Sequence, residues 1–282
     1  MSTAGTPVFC DAGLAARIEQ AESHFMAECT RAVHARTGSG AGFTLALSGG
    51  AACFAEAGSP YNKIAGLGFH GVPTAAEMDE VEEAYAACGA EVQVELPHLA
   101  DPEIGAFLTG RGYRLVSFEN VLGRSLSDAV ERAVPQGMEI RPTRDEEFGD
   151  WLEAMVCAAL HPDTQGVPWL QEFPRQILEN AERDGVAAGV VSYGALRGGT
   201  ILGGGGLRIA GGIAQLAGAG TVPEHRRQGV QTALTSVRLA DAAAAGCEIA
   251  VVTTQPGSRS QQNVQRQGFG LLYTRAVLTR QP

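Results

Sequence analysis

The chain has 282 residues, 45% of them hydrophobic, a mean hydropathy near zero and a formal net charge of −10. That length suits two domains with sizeable cores, and the acid excess argues against a general nucleic-acid binder, which carries a basic stripe. No apolar run of about 18 residues occurs, so no membrane-spanning helix is expected, and the first residues lack the basic and apolar regions of a signal peptide, making the cytoplasm the expected location.

Apolar periodicity in the first half predicts a helix over about 11–36 and strands over about 42–48, 51–57 and 61–69. A helix over about 75–88, a strand over 90–96, a short helix over about 102–109 and a strand over 113–124 follow. Residues 126–137 read as a linker between a first domain, 1–125, and a second, 138–282. The second domain reads as a strand at 138–141, helices near 145–160 and 172–183, and strands at 186–196, 200–209 and 212–222. A helix at 229–245, a strand at 247–253, a short helix at 258–266 and a strand at 270–279 complete it. Each half is thus α/β (α+β), a mixed, mostly antiparallel sheet flanked by helices. The four glycines at 203–206 mark a bulge or a close backbone approach within a strand.

The halves echo each other. Gly89 and Glu91 recur as Gly246 and Glu248 at an offset of 157, and Gly112, Leu115, Val121 and Leu122 recur as Gly268, Leu271, Val277 and Leu278 at an offset of 156. A duplicated unit explains both blocks. The copies differ where the helix after the third strand begins. In the second, Val222-Pro-Glu-His-Arg226-Arg227-Gln228-Gly229 leads into a helix with Val230, Leu234 and Val237 on one face. A Gly-containing turn opening a helix presents free N–H groups and the positive end of the helix dipole to an anion such as phosphate. In the first, Gly68 and Phe69 stand where the arginines would be, and Thr74-x-x-Glu77 forms a capping box followed by Asp79, Glu80, Glu82 and Glu83. Those acids repel a pyrophosphate. Gly66-x-Gly68-x-x-Gly71 spells a dinucleotide fingerprint, but Pro73 stands where the helix should already run.

Arg226-x-x-Gly229-x-Gln231 resembles the acetyl-CoA signature of the GNAT N-acetyltransferases, and residues 260–269, closing on Gly268-Phe269, resemble that family's later helix. The resemblance covers roughly 138–282 and implies a tandem arrangement with a degenerate first half. It implies acetyl-CoA as co-substrate, held by Arg226, Arg227, Gln228, Gly229, Val230, Gln231 and Thr232, with the Val222 N–H, beside Thr221, at the thioester carbonyl. Ser260 and Asn263 would either bond the pantetheine arm or cap and solvate their helix. The implied reaction is direct transfer of an acetyl or short acyl group to a small-molecule amine. The alternatives are a non-catalytic coenzyme-A-binding sensor and a protein N-terminal or lysine acetyltransferase.

This sequence departs from the family at Gln231, where Gly or Ala is usual, and at Val264, where many members carry a tyrosine that protonates the leaving thiolate. The strand entering the loop lacks a carboxylate, its most polar residue being Gln215. An amine still needs a base. His161, Glu172 and Tyr273 are the catalytic candidates, and Trp169, Tyr193 and Gln215 the candidates for lining the acceptor pocket. The six cysteines show no C-x-x-C or zinc-like spacing, so no metal is expected. No nucleic acid or membrane partner is expected, and the chain reads as a monomer or weak homodimer.

Overall fold

A computed structural model describes residues 7–38, 40, 42–127, 130–163, 165–166 and 172–282. The chain divides into two units that do not follow the linear boundary. One, here the N-terminal unit, comprises Phe9–Val121, Arg183–Ala188 and Leu272–Pro282; the C-terminal unit is built mainly from Leu122–Glu182 and Gly189–Leu271. The expected second domain, 138–282, therefore gives up its last strand to the other unit.

In the N-terminal unit, α1 (Ala12–Thr37) starts where Asp11 Oδ1 accepts the Leu14 N–H at 2.8 Å and stops at left-handed Gly38. There follow β1 (Phe43–Leu47), β2 (Gly50–Phe54), β3 (Lys63–Ala65), α2 (Ala75–Ala87), β4 (Val92–Pro97), α3 (Glu103–Gly110) and β5 (Arg114–Ser125). β3 stops short of the expected 61–69 because Gly66 turns at φ +77°, where an added β-carbon would come within 2.9 Å of Ser23. The strand order is β1-β2-β3-β4-β12-β5, so β12 (Gly270–Arg280), the last strand of the chain, inserts beside β4. It runs antiparallel there, from Arg275 opposite Pro97 to Arg280 opposite Val92. Met78, Val81 and Tyr85 of α2 pack with Ile64, Val94, Ile104 and Leu278 in the core.

The C-terminal unit contains β6 (Glu139–Pro142), α4 (Phe148–Leu160), α5 (Arg175–Ala187) as far as Glu182, β7 (Val191–Arg197), β8 (Thr200–Ala210), β9 (Ile213–Gln215), β10 (Ala219–Thr221), α6 (Val230–Ala244), β11 (Ile249–Thr254) and α7 (Arg259–Gln265). Its order is β5-β11-β9-β8-β7-β6, with β10 paired to β8 alone. The end of β5 joins here, the Leu126 N–H donating to the Glu248 carbonyl at 3.0 Å. The expected strand 212–222 is two strands, and the one expected at 186–196 starts only after left-handed Gly189. Val230, Leu234 and Val237 of α6 pack on Ala195, Leu202, Leu207 and Phe269. Trp151 of α4 is fully buried with Met155 and Val156, its indole N–H donating to the Tyr193 carbonyl at 2.9 Å. Among the described residues no helix is long and apolar enough to cross a membrane.

A buried ionic cluster holds β12 in the N-terminal unit. Arg275 donates to Glu19 at 2.8 Å and to Glu95 at 3.2 Å, and Lys63 donates to Glu95 at 2.5 Å. The Tyr273 hydroxyl donates to Glu19 at 2.6 Å. This corrects the catalytic expectation for Tyr273: it is buried in the N-terminal unit, and its hydroxyl is committed to a structural carboxylate. Burial opposes ionisation of Glu95, but Lys63 and Arg275 outweigh it and hold that carboxyl below its usual range. Glu119, 3.8 Å from Arg275, is pushed up to about 7 by burial and by the charge on Glu95. Between the ordinary value of 4.5 and about 7, the folded protein therefore keeps a proton that the unfolded chain has released, and this group's effect is to lower stability as pH rises through that window. Glu119→Gln should match wild type near pH 5 and be more stable near pH 8 in chemical denaturation. Lower stability than wild type at pH 8 would mean that Glu119 is held as a favourable ion instead.

Candidate functional site

The start of α6 is open. Gly229 is the N-cap at φ +81° and supplies no side chain, so the N–H groups of the first turn have no side-chain cap; the first helical bond runs from the Ala233 N–H to the Gly229 carbonyl at 3.0 Å. Arg227 is also left-handed, at φ +63°. Left-handed residues alternating in this way turn successive N–H groups toward one concavity, which suits an anion. The equivalent helix of the N-terminal unit is closed, as the capping box predicts. There the Glu77 N–H donates to Thr74 Oγ1 at 3.2 Å and the Thr74 N–H donates to Glu77 Oε2 at 2.7 Å. Arg227, Gln228, Gly229 and Thr232 are exposed, Gln231 is half-buried and Val230 is buried in the core. Arg197 donates to Gln228 Oε1 at 2.7 Å and shapes the loop.

Ahead of this loop, one strand parts from its neighbour. β9 pairs in parallel with β11 as far as Val251 opposite Gln215, and the Leu216 N–H donates to the Val251 carbonyl at 2.9 Å. Gly218, left-handed at φ +55°, then steps the chain out, and β10 continues on β8 only. The Val222 N–H donates to the Leu202 carbonyl at 3.0 Å. Alternation along an antiparallel strand therefore turns the N–H groups of Ala219 and Thr221 to the other edge, which no strand covers. The Thr221 carbonyl confirms the direction by accepting from Arg226 Nε at 3.3 Å. Thr221, not Val222, thus carries the free donor, because the Val222 N–H is spent on β8.

Two other expectations shift with this geometry. Arg226 also donates to the His161 carbonyl, so it braces the loop against the end of α4 and is not free to reach an anion. Gln231 turns its side chain back, Nε2 donating to Thr221 Oγ1 at 2.9 Å, which accommodates a residue larger than Gly or Ala.

Two charged groups flank the step at Gly218. Arg238 is 1% exposed; its Nη1 donates to the carbonyls of Gly206 at 2.8 Å and Gly218 at 3.4 Å, and its Nε to Leu234 at 3.2 Å. Burial pulls its pKa down to about 10. The glycine run is the counterpart of this packing. A β-carbon on Gly205 would lie 2.7 Å from Arg238 Nη1, and one on Gly204 would strike the Trp151 indole. Glu182 of α5 is half-buried, and desolvation pushes its pKa up to about 7. Its Oε1 lies 3.5 Å from where a Gly218 β-carbon would stand, beside the Met155 methyl at the same distance. Sequence reasoning missed both. Arg238 had a signal, since it follows Val230 and Leu234 at steps of four on the buried face of α6. Glu182 had none, standing among the polar residues of α5.

The remaining candidates are dispersed. His161, at the C-terminal cap of α4, is exposed with Nδ1 at 2.9 Å from the Cys157 carbonyl oxygen. Glu172 is exposed ahead of α5, and Trp169 lies outside the described residues. Tyr193 is a core residue whose hydroxyl donates to Asp241 Oδ2 at 2.9 Å, which corrects its placement in an acceptor pocket. Gln215 is buried at the end of β9 and accepts from Arg208 at 2.6 Å. Ser260 is exposed and Asn263 half-buried on α7, whose cap is Ser258, accepting the Gln261 N–H at 3.1 Å. Val264 is buried in the core. Among the described residues no cluster of three or more His, Cys, Asp or Glu is placed to hold a metal. Gly205→Ala should destabilise the protein by about 1–3 kcal/mol through overpacking against Arg238, as read by chemical denaturation; a neutral result would mean that the guanidinium moves freely.

Residues 153–269 match the profile of the acetyltransferase (GNAT) family. Among solved structures, a GCN5-related N-acetyltransferase from Kribbella flavida is similar with a TM-score of 0.64 at 19% identity, over 90% of this chain and 96% of that one. A tandem GNAT protein from the clavulanic acid biosynthesis pathway is similar at 16% identity and a TM-score of 0.54, over 73% of this chain and 68% of that one. A GCN5-related N-acetyltransferase from Sphaerobacter thermophilus is similar at 15% identity and a TM-score of 0.54, over 73% and 66%. No curated protein sequence matches the chain. The family match falls on the part of the sequence that carries the open helix start, and the chain has a tandem GNAT fold whose residues 153–269 match the acetyltransferase family.

Proposed function

We propose that the C-terminal unit transfers an acetyl group, or another short acyl group, from acetyl-CoA to the amine of a small-molecule acceptor, directly within a ternary complex. Acyl transfer from acetyl-CoA is the general activity of the matched family. The observation that carries the reading here is the contrast between the two helix starts: α2 closes its own start with a capping box that engages the Thr74 and Glu77 N–H groups, whereas α6 has no side-chain cap and opens beside exposed Arg227. A pyrophosphate placed there meets backbone donors, the helix dipole and a guanidinium together. The uncovered edge of β10 then offers the Thr221 and Ala219 N–H groups to the thioester carbonyl, where they would stabilise the oxyanion that develops as an amine attacks.

One observation favours a second reading, a coenzyme-A-binding scaffold without turnover. Val264 is a buried aliphatic residue, and the Tyr273 hydroxyl is bonded to Glu19, so neither position supplies a proton to a leaving thiolate. Release of free coenzyme A on an amine panel, corrected for hydrolysis, separates the two.

The first test is thermal unfolding with acetyl-CoA. At about 100 times its Kd the ligand should stabilise the wild type by about 2.7 kcal/mol, and Arg227→Glu should abolish the shift without changing the unliganded Tm. Absence of any shift at millimolar ligand in the wild type would overturn the transferase reading and the scaffold reading alike.

A further inference from the structure

Direct transfer to an amine requires a group that takes a proton from the acceptor's ammonium, and the Tyr273 hydroxyl, bonded to Glu19 in the N-terminal unit, does not serve. We propose that Glu182 is the general base of the C-terminal unit and that its carboxylate selects a cationic amine as acceptor. The assignment rests on the transferase reading above and adds to it a named residue and an acceptor class.

The placement carries the argument. Oε1 of Glu182 lies 3.5 Å from the position that a Gly218 β-carbon would take. Gly218 is the residue at which the chain leaves β11, and its neighbour Ala219 is the first whose N–H turns to the uncovered edge. A carboxylate at this step therefore stands beside the edge that would receive the thioester. Gly218 is left-handed and has no side chain to fill the space in front of the carboxylate. Met155 supplies an apolar wall there.

The charge environment points the same way. Among the described residues Glu182 makes no ion pair or hydrogen bond, and burial is the sole cause of its raised pKa. The charged group nearest the step from the opposite side is Arg238, whose guanidinium is turned to the carbonyls of Gly206 and Gly218. A desolvated carboxylate without a counter-ion is costly unless a cation arrives. An ammonium acceptor is such a cation, and it must lose a proton before it can attack.

The step balances as follows. The ammonium gives one proton to the Glu182 carboxylate, and the free amine forms the C–N bond at the thioester carbonyl. As the C–S bond breaks, the thiolate leaves and takes the second nitrogen proton, yielding the amide and free coenzyme A. Glu182 returns its proton to water, so one proton is released per turnover.

The test compares wild type, Glu182→Gln and Glu182→Asp with the best acceptor from the amine panel. Coenzyme A release is followed against pH, and acetyl-CoA stabilisation is measured in parallel. In the wild type, kcat should rise with pH along a limb near 7. Glu182→Gln should lower kcat by about 100-fold or more and lose that limb, while acetyl-CoA still raises its Tm as it does for wild type. Glu182→Asp should keep the limb with reduced kcat. If Glu182→Gln keeps the limb, or keeps kcat within about threefold, the assignment to Glu182 is overturned although the transferase reading stands. If wild type neither binds acetyl-CoA nor releases coenzyme A, the transferase reading fails first and this assignment falls with it.

Discussion

A β-strand has two edges, and in the C-terminal unit one edge of β8 is shared by two successive segments of chain. β9 takes its far end, with Arg208 opposite Gln215, and β10 takes its near end, with Gly203 opposite Thr221. Only β9 also reaches β11. Everything proposed for the site depends on this division. A straight strand would have continued pairing with β11 and consumed the N–H groups that β10 leaves open. The division requires a residue that can adopt positive φ at the step, and Gly218 is that residue.

The step is held by close packing from both sides of β8. Trp151 fills the space over Gly204 on one side, and Arg238 fills the space over Gly205 on the other. Alternate residues of a strand face opposite sides, so consecutive glycines can receive two large side chains from different helices. The guanidinium then reaches the carbonyls of Gly206 and Gly218, adding to the backbone bonds they already accept from the Ala217 and Gly206 N–H groups. The glycine run, the buried tryptophan and the buried cation are thus parts of one arrangement.

Much of this was legible because its causes are local. The start of α6 at Gly229, the capping box at Thr74 and Glu77, and the apolar face of Val230, Leu234 and Val237 follow from residues a few positions apart. The partners of β5 and β12 were not legible. Their sequences echo each other, Val121-Leu122 against Val277-Leu278, so apolar pattern cannot say which strand lies beside β4. That ambiguity also hid the role of Tyr273, which depends on the strand's neighbours and on Glu19, 254 positions away in sequence. The direction of the Val222 N–H was missed for a related reason. Motif position says which residues enter the loop, whereas the parity of the strand decides which of them faces the open edge. Glu182 was invisible because a glutamate in a polar helix carries no sign of the chain step it will meet.

The passage of residues 272–282 into the N-terminal unit bears on how the protein can be made. As the chain leaves the ribosome, the first half emerges with the place beside β4 unfilled, and the strand that fills it follows only after β6 to β11. Arg275, which joins Glu19 to Glu95, is absent for all of that interval. The N-terminal unit therefore cannot reach its final form before residues 272–282 have been made. A chain broken off ahead of Arg275 leaves Glu19, Glu95 and Glu119 without the guanidinium that faces them, with Lys63 still paired to Glu95. In evolutionary terms, the duplication has ceased to be two separable genes' worth of protein: neither copy can be lost or transplanted whole without taking a strand from the other.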